Sequence, residues 1–158
     1  MGENGGPQSC KIRFRGRSEH SMDDKGRLNI PSRFQEVLRD LGDERLMVIP
    51  WNKCIKAYPA PVWEELEEKL IALIQVDADS RKMAEHMIGG VVECPVKQGR
   101  ISLPQQMRDQ IGMGRDVVVE GVMTTIKIWD KVTWERQNKP SDEDYLNFDQ
   151  KLSLQGHF

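Results

Sequence analysis

Asp23 and Arg27 stand four residues apart in "MDDKGRLNIP", with Lys25 between them and Arg15 and Arg17 a little upstream. A guanidinium is a planar fork of donors that can read a guanine edge or grip a phosphate with two bonds. It does so selectively only when its orientation is held. A carboxylate facing it across a short turn supplies that hold, whereas a lysine at the tip remains a flexible point charge of the kind that contacts phosphates. A second turn, "CPVKQGRISLP", presents Lys97 and Arg100 in a similar setting, with Val96 four residues before the arginine where the first turn has Asp23. Together, Arg15, Arg17, Asp23, Lys25, Arg27, Lys97 and Arg100 form a set suited to anion recognition, and to nucleic acid in particular. Taken alone, the same residues also fit a solvated surface pair worth only ~0–1 kcal/mol.

The two turns belong to a longer repeat. Placing Gly26 on Gly99 brings Arg27 onto Arg100, Leu28 onto Ile101, Ile30 onto Leu103 and Pro31 onto Pro104. Further on, "IKAYPAPVWE" (55–64) matches "IKIWDKVTWE" (126–135) at an offset two residues shorter. Ordered identities with one small deletion are the mark of an internal duplication.

Each copy reads as β-β-α-β-β followed by a helix. "RSEHSM" (17–22) predicts a strand, Asp24-Lys25-Gly26 a three-residue loop closed by glycine at positive φ, and "RLNI" (27–30) the returning strand. Ser32-x-x-Gln35 reads as a capping box for a helix whose apolar face is Phe34, Val37, Leu38 and Leu41, stopped at Gly42. "RLMVIP" and "CIKAYP" follow as strands. The second copy repeats the pattern with "GRISLP", a helix carrying Met107 and Ile111, then "DVVVEG" and "TIKIW".

Between the copies, Val62, Trp63, Leu66, Leu70, Leu73 and Ile74 mark the apolar stripe of a helix with a glutamate-rich solvated face. "DADSRKMAEHMI" predicts a second helix, capped near Asp79 or Ser80 and ended by Gly89-Gly90. The expected division is a flexible leader (1–11), a first unit (12–60), a helical connector (61–90), a second unit (91–138) and a tail (139–158) with a cap-like Ser141-x-x-Asp144. One such unit buries too little to stand alone, so the copies are expected to close on one another.

Composition narrows the function classes. Mean hydropathy is −0.60, and no apolar run approaches the ~20 residues of a membrane span. Cys10, Cys54 and Cys94, like His20, His86 and His157, are scattered without metal-ligand spacing, which fits reduced thiols in the cytoplasm and predicts no metal or cofactor. The net charge of −2 speaks against indiscriminate coating of nucleic acid, yet seven basic residues against three acidic ones fall between Lys11 and Arg33. The balancing acid lies in "WEELEEKL" and "SDEDY". No nucleophile elbow, phosphate-cradling glycine loop or repeated Cys/His pairing suggests an enzyme.

The run "FRGRSEHSMDDKGRLNIPSRFQEVL" (14–38), with "GRISLP", "YPAPVWEELEEKL" and "IKIWDKVTWE", resembles the MraZ family of bacterial transcriptional regulators over roughly residues 12–138. The resemblance implies an α+β, mostly β fold of two tandem AbrB-like swapped-hairpin barrel units. It also implies ring-shaped homo-oligomers in the cytoplasm or on the nucleoid, binding repeated boxes of double-stranded DNA upstream of division and cell-wall genes and usually repressing them. The family's Asp-x-x-x-Arg signature falls here on Asp23 and Arg27, with Lys25 between them. The second turn departs from it, so the first is expected to carry more of the base discrimination. The rival readings are a self-assembling scaffold and an antitoxin-like protein, the latter disfavoured by the duplication.

Overall fold

A computed structural model describes residues 12–156. The expected leader, with Cys10 and Lys11, and His157 at the other end lie outside the described residues.

The described residues contain eight strands and six α-helices. The first repeat contains β1 (Phe14–Ser21), β2 (Arg27–Asn29), α1 (Ser32–Leu41), β3 (Arg45–Trp51) and β4 (Cys54–Pro59). The connector is α2 (Ala60–Ile74) and α3 (Ala78–Gly90). The second repeat contains β5 (Val92–Pro95), β6 (Arg100–Ser102), α4 (Gln105–Ile111), β7 (Asp116–Met123) and β8 (Thr125–Asp130). It continues into α5 (Lys131–Thr133), a π-helical turn (Trp134–Asn138) and α6 (Asp142–Leu154).

The strands form a six-stranded antiparallel sheet, ordered β1-β7-β8-β4-β3-β5, and a separate two-stranded ribbon, β2-β6. Exchanging each strand for its repeat counterpart reverses the sheet order and leaves it otherwise unchanged. The pseudo-twofold axis passes between β4 and β8, where Lys56 lies directly opposite its own counterpart Lys127. Burial and the neighbouring Lys127 both push the Lys56 ammonium below its ordinary pKa.

This pairing corrects one expectation. β2 does not return onto β1: β1 pairs with β7, β2 with β6 and β5 with β3, each across the repeat boundary. The swap follows from the core. Phe14, Leu28, Phe34 and Leu38 from one repeat share a single buried cluster with Ile101, Leu103, Val117 and Val119 from the other. Crossed pairing lets two small apolar sets close into one larger core. A second cluster, Ile49, Trp63, Leu70, Ala84 and Met87, forms where the connector helices cover the outer face of β3.

Helix boundaries follow local chemistry. α1 and α4 end at Gly42 and Gly112, both left-handed, as the glycine stop requires. The Ser32–Gln35 capping box does not form. Pro31 occupies the cap and Gln35 turns back to donate to the Ile30 carbonyl at 2.7 Å. α3 is capped by Asp77, which accepts from Ser80 N–H, and not at Asp79 or Ser80. The tail's capping box does form between Ser141 and Asp144. α6 buries none of its residues and leaves Tyr145, Leu146, Phe148 and Leu154 exposed.

Candidate nucleic-acid interface

The β2–β6 ribbon is the element that positions the arginines. Its register is Arg27↔Ser102, Leu28↔Ile101 and Asn29↔Arg100. Side chains alternate across a strand. Leu28 and Ile101 therefore point into the core at 0% and 2% exposure, while Arg27, Asn29, Arg100 and Ser102 share the outward face. The flanking bonds, Ile30 N–H to Gly99 O at 2.8 Å and Leu103 N–H to Gly26 O at 2.9 Å, set the ladder's phase. Arg27–Ser102 and Asn29–Arg100 fall on the non-hydrogen-bonded pairs, where facing side chains stand closest.

At the first end of the ribbon the turn closes through Asp23 N–H to Arg27 O at 3.2 Å and Gly26 N–H to Asp23 O at 3.0 Å, with Gly26 at φ +76. The Asp23 carboxylate then accepts three bonds. The Lys25 and Arg27 N–H groups reach Oδ1 at 2.9 Å each, and Arg27 Nε reaches Oδ2 at 2.5 Å. Those bonds, led by the Arg27 backbone N–H and the Arg27 side chain, hold the carboxyl down at about 2. The guanidinium is thereby fixed at its Nε edge while its outer nitrogens remain available. Lys25 is exposed at the tip.

The other end of the ribbon is built differently. Lys97 N–H donates to Arg100 O at 2.9 Å and Arg100 N–H to Lys97 O at 3.0 Å, closing a two-residue loop with Gln98 at φ +53 and Gly99 at φ +75. The loop is one residue shorter than the first. In space the counterpart of Asp23 is therefore Lys97, not Val96, which packs against the core. A cation stands where the first turn has its anchoring anion, and among the described residues no carboxylate buttresses Arg100.

Each turn is braced by the opposite repeat. Arg108 Nε donates to Leu103 O at 3.1 Å and Gln35 Nε2 to Ile30 O, matching bonds within each repeat that lay each side chain against the other repeat's turn glycine. A Cβ on Gly26 would lie 2.7 Å from the Arg108 guanidinium carbon, and one on Gly99 would lie 3.0 Å from Gln35 Nε2. Arg115 pairs with Asp24 at 2.5 Å, adding a further link from the second repeat to the first turn. The sequence reads Gln35 only as part of a capping box and gives Arg108 no role. Their equivalence under the repeat offset was the available signal.

Arg15 and Arg17 are not beside the turn. β1 is extended, which carries them roughly 20 and 13 Å from Ser21 at about 3.3 Å per residue. Arg17 is engaged there by Glu120, at 2.9 Å from Nε, and stacks 4.9 Å from the Trp134 ring centroid. Glu120, buried in the sheet, also accepts from Trp129 Nε1 at 3.0 Å. Arg15 is exposed, and its carbonyl accepts from Arg33 Nε.

Among the described residues no three His, Cys, Asp or Glu side chains gather as a metal site, and no helix is long and apolar enough to cross a membrane. Burial pushes the Cys94 thiol up to about 11 and the Cys54 thiol in the same direction.

A pseudo-symmetric α+β protein of two interlocked repeats, with a cationic β-ribbon at their junction, is the class that these features define. The family model for the MraZ protein, whose description adds "antitoxin-like", matches twice, over residues 13–85 and 87–154. The chain is 37% identical over 133 residues to the transcriptional regulator MraZ of Syntrophobacter fumaroxidans, covering 84% of this chain and 89% of that protein. It is 38% identical to the protein of the same name from Desulforamulus reducens, covering 84% and 92% of the two chains. With that from Moorella thermoacetica it shares 36% identity, covering 88% and 96%. The chain belongs to the MraZ family, a family of transcriptional regulators.

Proposed function

We propose that this protein regulates transcription by binding double-stranded DNA through the β2–β6 ribbon and its two turns. A two-stranded ribbon fits the B-DNA major groove. Arg27, held by Asp23 on the exposed face of that ribbon, is the observation that carries the reading. A fixed guanidinium suits bidentate contact with guanine, while Lys25, Lys97 and the unanchored Arg100 suit phosphates. The interaction would be made in the cytoplasm, on the nucleoid.

Few phosphate contacts per chain make one ribbon a weak and salt-sensitive binder, since each costs about 0.9 log units of affinity per log unit of salt. A ring-like homo-oligomer engaging repeated promoter boxes would raise effective affinity ~10²–10⁴-fold without new contacts. The family resemblance points to boxes upstream of division and cell-wall genes, with repression as the outcome.

The test is a gel shift, at two salt concentrations, on genomic fragments selected by the purified protein. Replacing both Arg27 and Arg100 with alanine is expected to abolish retention. Arg27→Ala alone should cost the preference for matched over scrambled boxes, and Arg100→Ala should weaken both alike. A double variant that retains promoter fragments as the native protein does would overturn the proposal.

A further inference from the structure

The ribbon's outward face carries two residues besides its arginines, and they differ between the repeats. The pseudo-twofold relates Asn29 to Ser102 as it relates Arg27 to Arg100. Asn29 stands directly opposite Arg100, and Ser102 opposite Arg27. Asn29 is exposed, and among the described residues its side-chain amide makes no hydrogen bond. The half of the ribbon whose arginine lacks a carboxylate to aim it is thus the half that holds an asparagine.

We infer that Asn29 is a specificity-determining residue that reads an adenine edge in the major groove, about two base steps from the pair faced by Arg27. The inference rests on the ribbon being the DNA-reading element. An asparagine amide carries a donor and an acceptor side by side and pairs in two bonds with the N6 and N7 of adenine. Serine, with one rotatable hydroxyl, accepts several bases with little preference. Spacing agrees with this assignment. Two residues along a strand advance ~6.8 Å, about two base steps at ~3.4 Å each along one DNA strand. The Arg27–Ser102 row and the Asn29–Arg100 row therefore face base pairs about two steps apart, and each row can address its own pair. Asn29 ends β2 in the row beside the second turn, one residue from the central Leu28–Ile101 pair and as far from it as Arg27 is on the other side.

The experiment is selection from a randomised duplex library by the purified full chain, comparing the native protein with Asn29→Ala, Asn29→Gln, Ser102→Ala and Arg27→Ala. Asn29→Ala is expected to lose about ten- to a hundred-fold discrimination at a single A·T position, with the other positions unchanged. Asn29→Gln should restore part of it, and Ser102→Ala should leave the motif intact. Circular dichroism confirms the fold of each variant, which an exposed position does not endanger. An unchanged base profile in Asn29→Ala, or a weakening spread evenly over all positions, would overturn the inference while Arg27→Ala still loses its base preference. If Arg27→Ala itself selects the same sequences as the native protein does, the failure is that of the DNA reading.

Discussion

Asp23 serves the site through geometry more than through charge. It satisfies two turn N–H groups and one guanidinium edge, leaving Arg27 directed and still 43% exposed. Asp23→Asn should therefore keep or slightly strengthen binding to scrambled DNA, because an acid near phosphates is removed, while preference for matched boxes falls several-fold. Competition gel shifts measure both quantities. The pH response has a definite sign. Asp23 titrates at about 2 in the folded chain against an ordinary 3.8, so its contribution to the turn is complete above pH 3.8 and is lost as pH falls toward 2. Carboxyl NMR titration is expected to show Asp23 still ionised at pH 3. An ordinary midpoint there would mean that the carboxylate does not hold the fork.

The two turns look alike as elements but differ in what presses on their glycines. A Cβ on Gly26 would meet the Leu103 backbone oxygen at 2.6 Å, whereas on Gly99 the nearest atoms belong to the flexible Gln35 amide. Both glycines hold positive φ, at which a non-glycine residue costs ~1–2 kcal/mol. Gly99→Ala should lower stability by about that amount. Gly26→Ala should cost more, because backbone cannot step aside as a side chain can. Urea midpoints of the two variants decide the order, and the reverse order would contradict the cross-brace between repeats. Sequence reading placed both glycines and both arginines correctly around their turns. It aligned Val96 with Asp23 because a gap of one residue in the second loop leaves no trace until hydrogen bonds show which residues face each other.

For the whole molecule, the crossed pairing makes the repeats interdependent. Residues 12–90 alone would leave β1 and β2 without partners and would open the shared core at Phe14 and Leu28. That fragment is expected to be unfolded by circular dichroism, or to run as a homodimer on size exclusion with the second copy supplying the missing strands. A folded monomer would show that the repeats close independently. The connector's Leu66 and Leu70 pack toward β3, while Gln137 and Ser141 occupy the matching places after β8, which leaves the second repeat's helical region with less to bury. The duplication is thus equal in its strands and unequal in its covers.

Residue order alone determined what acts over a few positions: the duplication, the glycine-closed turns, and the helix stops at Gly42 and Gly112. Only the tertiary structure decided that β2 lies against β6, that Lys97 takes the place of Asp23, and that Arg17 belongs to Glu120 and Trp134. The physical reason is range. Turn and capping energies involve neighbours in the chain, whereas an intra-repeat hairpin and a crossed one satisfy the same local preferences with the same residues. They differ in which apolar faces meet across some seventy to a hundred residues, and that choice is made by the shared core.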